Sequence, residues 1–416
     1  MKELATLALV ALAMCGIAVG RLPRLRMNRA SMALAFSVLL VAAGALDPGE
    51  ALASIDVGTI ALLLAMMLLV ANLRIAGFFT AAGARLLAVA RTPRSLLALV
   101  VLASGFLSAL FLNDTICLMM TPLVVELARR SERDPVPYLV GLATSANVGS
   151  CATIIGNPQN MLIGASSGIP FLAFLARLGP PSLLGLGVCW LVVVLAFRGE
   201  FASGSALAAA AARPSGRAGE EAMDRRLVAK SLAATLLMIA ILLARVPAAL
   251  AAMSAAAVLL FTRRIPPEKV FAQVDFSLLV FFSGLFIITR SLAGTAAFAR
   301  GVEAATPILQ AGGRGSLAAF SGISVLASNL ISNVPAVMLF RPLVRLFGEP
   351  EKAWLVLAMA STYAGNLTLL GSVANLIVAE GAKPYGVELS FGKYLKAGLP
   401  ITLATTAIGT VWLLLA

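Results

Sequence analysis

The sequence predicts an all-α polytopic membrane protein built from two inverted repeats, and three observations support this prediction. Of the 416 residues, 60% are hydrophobic and only 12% are charged, whereas a soluble domain carries about 25% charged residues. Apolar stretches long enough to cross a bilayer recur along the whole chain. Polar interruptions of these stretches occur at matching spacing in the two halves. This composition excludes soluble enzymes, disordered proteins and nucleic-acid-binding modules, so we expect no nucleic-acid partner.

Each half of the chain reads as three spans, a re-entrant hairpin, a broken helix and a last span. The first repeat covers residues 1–197 and the second covers 227–416. The first apolar stretch resembles a signal peptide, but a second stretch follows it directly, which favours a retained helix. In total we expect about 10–11 spans plus two hairpins.

The basic residues predict which segments face the cytoplasm. Arginines at both ends of segment 95–128 place these ends on one side of the membrane, so this segment is predicted to be a hairpin. The hydrophilic linker 198–226 falls on the same, cytoplasmic side. The second hairpin, 316–347, then enters from the outside. We expect both termini outside the cytoplasm of a bacterial cell, and the protein in its inner membrane.

The repeats match at two places. Asn113 and Asn333 lie 220 positions apart, each with a proline nine residues later, and Gly156 and Gly371 lie 215 positions apart. Glycine and proline interrupt helices, so we expect broken helices at 137–164 and 353–380. The first half begins by crossing inward and the second by crossing outward, which makes the repeats inverted. Interrupted helices at matching positions of inverted repeats indicate a transporter's binding site.

Polar residues at these interruptions are the candidate site, because polar groups at membrane depth are costly and are functional candidates by default. Helix N-termini at the breaks attract anions, and unwound carbonyls can coordinate Na⁺, including at the hairpin tips. Asp114 is the single acid at a midplane position and is the candidate coupling residue for Na⁺ or H⁺; the alternative is a cap that only closes the hairpin turn. The predicted substrate- and ion-binding residues are Asn113, Asp114, Thr115, Asn147, Gly156, Asn157, Asn160, Ser332, Asn333, Asn366, Thr368, Gly371, Ser372 and Asn375.

The chain contains no histidine and four cysteines. A histidine triad, a histidine metal ligand and a histidine proton relay are therefore excluded. The cysteines lie inside apolar stretches without CxxC spacing, which favours packing over zinc or disulfide roles. We expect no cofactor and no catalytic metal, apart from Na⁺ or H⁺ as a coupling ion.

Two hairpins with an asparagine at each tip, together with Gly-Asn-Pro-Gln-Asn at 156–160 and Gly-Ser-Val-Ala-Asn at 371–375, resemble the ion transporter superfamily. This superfamily includes citrate-transporter-like permeases, arsenite permeases and divalent-anion:sodium symporters. The resemblance implies an elevator-type mechanism, in which the hairpins and broken helices slide against the remaining spans, and a homodimer. The Asn-Asp pair at the first tip is more similar to the arsenite permeases.

We therefore expect a secondary transporter of a small anion, coupled to Na⁺ or H⁺ through Asp114. Arsenite or antimonite efflux and Na⁺/H⁺ antiport are the alternatives within transport. A passive channel would carry flux that is indifferent to a cation gradient. A membrane enzyme is disfavoured, because no nucleophile–base pair can be assembled from the sequence.

Overall fold

A computed structural model describes residues 2–19, 21–22, 27–202, 223–261, 265–310 and 313–415. The first half contains α1 Lys2–Val19, α2 Arg29–Ala42, α3 Pro48–Ala53, α4 Val57–Ile75, α5 Phe78–Val89, α6 Pro93–Leu110, α7 Asn113–Arg130, α8 Pro135–Ser150, α9 Pro158–Ser167, α10 Phe171–Ala196 and α11 Arg198–Phe201. The second half contains α12 Arg225–Leu243, α13 Ala248–Leu260, α14 Pro267–Phe271, α15 Phe276–Ala293, α16 Ala296–Gln310, α17 Arg314–Ile331, α18 Asn333–Val344, α19 Pro350–Ala364, α20 Val373–Ala382 and α21 Phe391–Leu415. Two-residue strands, β1 Arg21–Leu22 and β2 Met27–Asn28, pair antiparallel between α1 and α2.

The prediction of an all-α polytopic membrane protein is confirmed. Seven of the described helices are long and apolar enough to cross a bilayer, namely α1, α4, α6, α10, α12, α15 and α21. Helices α2, α13 and α18 are apolar but shorter. Although α6 has the length of a span, only two residues separate it from α7, which packs back against it. These two helices therefore form a hairpin, as α17 and α18 do in the second half.

The two halves pack in the same way. Helix α2 lies against α15 as α13 lies against α4, and α6 lies against α8 as α17 lies against α19. The halves also exchange contacts, because α7 packs on α20 and α9 packs on α18. The same order of helices therefore recurs in the two halves, as expected for two structural repeats. This intertwining brings both hairpins and both broken helices to the middle of the molecule.

One close approach of helices depends on glycine. At Gly149 in α8, an added Cβ atom would lie 2.2 Å from the carbonyl oxygen of Gly105 in α6. This distance is shorter than any contact that real Cβ atoms make, so a larger residue would push the first hairpin away from α8. Glycine here keeps the hairpin against the broken helix that completes the site.

Two features differ from the expectations. The last span of each half is longer than the roughly 20 residues that a bilayer needs: α10 begins at Phe171 and α21 at Phe391, and both continue through prolines. Proline is tolerated in membrane helices because neighbouring groups satisfy the freed carbonyls, and α10 packs against α21 along this stretch. Helices α5 and α16, which follow the third span of each half, were not expected. Most of the predicted linker lies outside the described residues.

Candidate functional site

The tip of the first hairpin leaves its polar side chains free for other partners. Leu112 is the N-cap of α7 and makes no side-chain cap hydrogen bond, so Asn113 and Asp114 lie inside the first helical turn. The backbone N–H of Asn113 donates to the carbonyl oxygen of Gly156 at 3.0 Å. Asp114 therefore does not close the hairpin turn as a cap, and the tip is held by the broken helix beside it.

The tip of the second hairpin is strained. Ser332, the single residue between α17 and α18, has φ 78° and ψ 156°, a region of backbone conformation that is essentially restricted to glycine. Pro335 falls in the first turn of α18, where its missing N–H has no intrahelical partner to lose. Strain of this kind persists only where surrounding contacts impose it, and it concentrates at functional sites.

In both broken helices the second part begins at a capping side chain. Asn157 caps α9 by accepting a hydrogen bond from the backbone N–H of Asn160 at 2.9 Å. Ser372 caps α20 by accepting one from the backbone N–H of Ala374 at 3.2 Å. A Cβ atom at Gly156 would lie 2.3 Å from the carbonyl oxygen of Ser150, so glycine permits the compact unwound turn.

An asparagine closes each unwound segment from the following helix. Asn160 Nδ2 donates to the carbonyl oxygens of Ser150, at 3.3 Å, and Thr153, at 3.0 Å. Asn375 Nδ2 donates to the carbonyl oxygens of Gly365, at 2.7 Å, and Thr368, at 3.0 Å, which lie 215 positions after Ser150 and Thr153. Carbonyls that would otherwise lack partners at membrane depth are thereby satisfied. These two asparagines, which were predicted as binding residues, therefore stabilise the breaks.

Asn147 joins the two repeats. Its Oδ1 accepts from Asn113 Nδ2 at 3.0 Å and from Ser372 Oγ at 3.2 Å. Its Nδ2 donates to the Oδ1 atoms of Asn366 and Asn375, at 2.9 and 3.0 Å. This buried amide therefore connects the first hairpin tip and the first broken helix to the second broken helix. Five predicted residues meet here.

Thr362 has the corresponding position in the second repeat, and the sequence reasoning missed it. Its Oγ1 accepts from the side-chain amides of Asn157 and Gln159, each at 3.3 Å. It also lies 3.5 Å from Asn160 Oδ1. Thr362 follows Asn147 by 215 positions, the offset of the broken helices, so extending the repeat comparison backwards would have found it.

Several predicted residues remain reachable from solvent. Asp114, Thr115, Ser332 and Thr368 are half-buried, whereas Asn113, Asn147, Asn157, Asn333 and Ser372 are buried. The side chains of Thr115 and Thr368 take no part in the hydrogen bonds found among the described residues. Asp114 interacts electrostatically with Arg29 and Asp275. These half-buried residues mark the open side of the network.

Both hairpins hold buried oxygen atoms without hydrogen-bond partners. Two such atoms in each hairpin are equivalent, namely Ser108 Oγ and Asn113 Oδ1 in the first and Ser328 Oγ and Asn333 Oδ1 in the second. The second hairpin also contains unpaired Ser324 Oγ and Asn329 Oδ1. Buried polar atoms are nearly always paired, so each exception calls for an explanation. The two pairs occupy equivalent positions in the two hairpins, so an isolated packing defect at one side chain does not explain them.

The clefts of the structure lie elsewhere. A cleft of about 420 Å³ separates the start of α8 from the end of α10, and it contains Glu200. Burial raises the pKa of the Glu200 carboxyl, while a hydrogen bond from Tyr138 Oη, at 3.2 Å, and the Arg133 guanidinium offset part of this effect. The hairpin-tip residues do not line this cleft.

The sequence profile of the citrate transporter family matches residues 9–364. The silicon efflux transporter LSI3 of Oryza sativa subsp. japonica is 32% identical, over 93% of this chain and 92% of that protein. The putative transporter arsB of Dictyostelium discoideum is 25% identical, over 92% of this chain and 87% of that protein. The crystal structure of the YdaH transporter of Alcanivorax borkumensis is 14% identical, with a TM-score of 0.63 over 100% of this chain and 98% of that one. This last similarity concerns the fold alone.

Proposed function

Because this chain belongs to the citrate transporter family and is a membrane transporter, we propose that it is a secondary active transporter of a small anion, coupled to Na⁺ or H⁺. The hairpins and broken helices form the moving domain, and the remaining spans form a scaffold against which it slides, as in an elevator. We place it in the bacterial inner membrane with both termini outside, as a homodimer.

The observation that carries this proposal is the repeated set of unpaired buried oxygens. Ser108 Oγ with Asn113 Oδ1, and Ser328 Oγ with Asn333 Oδ1, each supply two neutral oxygen ligands at a hairpin tip. The carbonyl oxygens of Ser108 and Ser150 lie beside Gly156, close to the first tip. Hydroxyl, amide and carbonyl oxygens are hard ligands that suit an alkali cation. These residues fit one Na⁺ at each tip.

The anion would bind on the open side of the same tips. The first N–H groups of α7 and α18 have no acceptor within their helices and point toward the tips, where the helix dipole favours negative charge. Bound cations would strengthen this attraction, which couples the anion to the cation gradient. Asp114, in the first turn of α7, would oppose an anion unless it carries a proton or a cation, and this makes it the coupling residue.

Efflux of a weakly acidic oxyacid, such as arsenite or antimonite, is the second candidate. The hydrogen-bonded network consists of amides and hydroxyls, and among the described residues it contains no lysine or arginine side chain. Such groups both donate and accept, which suits an uncharged hydroxylated solute as well as an anion. The similarity to a silicon efflux transporter supports this candidate.

Reconstitution into liposomes tests both candidates. We would measure movement of citrate, succinate, sulfate, phosphate and arsenite under imposed Na⁺ or pH gradients, for the wild type and for Asp114→Asn. The proposal expects gradient-driven movement of one solute, and uncoupling in the variant. Wild-type behaviour of the variant under every gradient refutes Asp114 as the coupling residue. Na⁺/H⁺ exchange without any solute movement indicates an antiporter, and flux that ignores both gradients indicates a channel.

A matched set of serine variants tests the Na⁺ sites. Ser108→Ala and Ser328→Ala each remove an unpaired hydroxyl, and Ser231→Ala removes another unpaired buried hydroxyl in α12, far along the chain from the tips. We expect the first two to raise the half-saturating Na⁺ concentration several-fold and the third to leave it unchanged. Equal behaviour of all three variants excludes these hydroxyls as Na⁺ ligands.

A further inference from the structure

The cleft between the start of α8 and the end of α10 contains two basic side chains without acidic partners. Its volume is about 420 Å³, and its lining includes Arg198, which begins α11, and Lys396 from α21. Both residues are exposed. Among the residues that the structure describes, neither side chain forms an ion pair or donates a hydrogen bond. We call this space the α10 cleft.

The two acids of the α10 cleft are held by other groups. Glu200 Oε1 accepts a hydrogen bond from Tyr138 Oη at 3.2 Å and lies 4.0 Å from Arg133 Nε. The Glu200 side chain is only 14% exposed. Asp134, the N-cap of α8, accepts a hydrogen bond from the backbone N–H of Val136 at 3.0 Å. The acids thus leave the two basic groups able to bind another anion.

The equivalent cleft of the second repeat is built differently. It lies at the start of α19, has a volume of about 290 Å³, and is lined by Glu349 and Lys352. Glu349 follows Asp134 by 215 positions, the offset of the broken helices. Here the lysine is paired, because its Nζ lies 3.0 Å from Glu349 Oε2. Arg177, which also lines this cleft, is not without a partner either. The availability of cations therefore distinguishes the α10 cleft from its equivalent.

The α10 cleft lies where a membrane span ends. Helix α10 is long and apolar enough to cross a bilayer, and Phe197 is its C-cap. The Lys396 ammonium lies over the Phe197 ring, 5.6 Å from its centroid. Two turns earlier, the indole N–H of Trp190 donates to the Arg94 carbonyl oxygen at 3.1 Å, and tryptophan concentrates at membrane–water interfaces. Leu195, on the wall of the cleft, is 48% exposed, so apolar surface adjoins the two basic groups.

We propose that the α10 cleft binds the phosphate of an anionic phospholipid headgroup, with the Arg198 guanidinium and the Lys396 ammonium as its ligands. A guanidinium can hold two phosphate oxygens at once, and a lysine supplies a compact point charge. Anionic lipids of the cytoplasmic leaflet attract basic residues next to membrane spans, and the distribution of basic residues predicts that this end of α10 is cytoplasmic. A free phosphate ester shares the headgroup chemistry but has no acyl chains to cover Leu195. The proposal does not depend on the transported solute or the coupling ion.

Titration of the purified full chain with lipids tests this site. A ligand that binds the folded protein raises its melting temperature in a concentration-dependent way. Dihexanoyl phosphatidylglycerol, dihexanoyl phosphatidylcholine and inorganic phosphate are added separately, at constant ionic strength and below the micelle concentrations of the lipids. We expect phosphatidylglycerol to act at the lowest concentration, because the choline cation of phosphatidylcholine opposes the two basic groups. Equal action of phosphatidylcholine overturns the proposal, and equal action of inorganic phosphate replaces the lipid by a free anion.

Single substitutions test the two ligands. Arg198→Gln and Lys396→Gln should each raise the half-maximal phosphatidylglycerol concentration about fivefold, the effect expected of one basic residue near an anionic lipid surface. Lys393→Gln is the matched control, because Lys393 lies about one turn earlier on α21, is exposed and does not line the cleft. Lys352→Gln extends the control to the equivalent cleft. Both controls should bind as the wild type does.

A change of opposite sign completes the set. Asp134→Asn removes a negative charge from the α10 cleft, and asparagine also caps a helix well, so this variant should bind phosphatidylglycerol at lower concentration. If Lys393→Gln weakens binding as much as Lys396→Gln does, the lysines act through general surface charge and the site is refuted. Wild-type binding by both Arg198→Gln and Lys396→Gln refutes it as well.

Discussion

Replacement of Asn147 by leucine is the sharpest test of how the two repeats are joined. Leucine has the same number and branching of side-chain heavy atoms as asparagine and suits a helix, so the change removes the amide and adds a volume increase that the control below shares. Four hydrogen bonds disappear, namely those to Asn113, Ser372, Asn366 and Asn375. Of the partners left behind, Asn113 Nδ2 and Ser372 Oγ lose an acceptor, while the Oδ1 atoms of Asn366 and Asn375 lose a donor.

The size of the effect follows from the number of bonds. At about 0.6 kcal/mol for each interhelical hydrogen bond in a membrane protein, four such bonds contribute about 2.4 kcal/mol. Partners that stay buried and unpaired add to this loss, at about 1 kcal/mol or more each. We therefore expect Asn147→Leu to lower the free energy of unfolding by at least about 2.4 kcal/mol.

Asn72→Leu is the matched control. Asn72 is equally buried, but its Nδ2 donates only to the carbonyl oxygen of Leu68 in its own helix, at 2.9 Å, and its Oδ1 has no partner. Removal of an amide with an unsatisfied acceptor should be nearly neutral or stabilising. Thermal unfolding of both variants in one detergent measures the difference. If Asn147→Leu melts at the same temperature as Asn72→Leu, the network does not hold the repeats together and the reasoning is wrong.

Three further predictions concern single positions. Gly149→Ala should lower the melting temperature, because its Cβ would lie 2.2 Å from the Gly105 carbonyl oxygen. Gly187→Ala, in the open middle of α10, is the control and should raise stability by about 0.5 to 1 kcal/mol. Equal effects of the two changes contradict the close approach. Ser332→Gly should stabilise the protein by about 1 kcal/mol, because glycine accepts φ 78° without strain, while Ser332→Ala should not; thermal melts of both decide. The pKa of Glu200 is raised from 4.5 by burial, so the folded state favours the protonated carboxyl more than the unfolded state does. The wild type should therefore lose stability relative to Glu200→Gln as the pH rises through the window just above 4.5. Parallel pH profiles of the two melting temperatures argue against this.

Much of the candidate site could be predicted from the sequence, because its residues break strong local patterns. Asn113 and Asn333 interrupt long apolar stretches, and Gly156 and Gly371 stop helices that would otherwise continue. Because the two halves match at constant offsets of 220 and 215 residues, a break predicted in one half supported the equivalent prediction in the other half. These signals are local, so the sequence placed the hairpin tips at Asn113 and Asn333, and the structure has the helix breaks immediately before these residues.

The pairing of those residues could not be predicted. Asn147 bonds to residues more than 200 positions away, and the choice between Asn366, Asn375 and other amides depends on how α8 meets α20. Thr362 gave no signal of its own, because a threonine in an apolar helix is common.

The sequence by itself determined three properties: that the chain is a membrane protein, at which positions its helices break, and which polar residues those breaks contain. These properties follow from hydropathy and from the backbone limits of glycine and proline, which act over a few residues. The tertiary structure alone decided which amides form hydrogen bonds with each other and which buried oxygens remain unpaired. Those properties depend on how the two repeats pack together. This packing brings residues that are far apart in the chain into contact, and no short sequence pattern specifies such contacts.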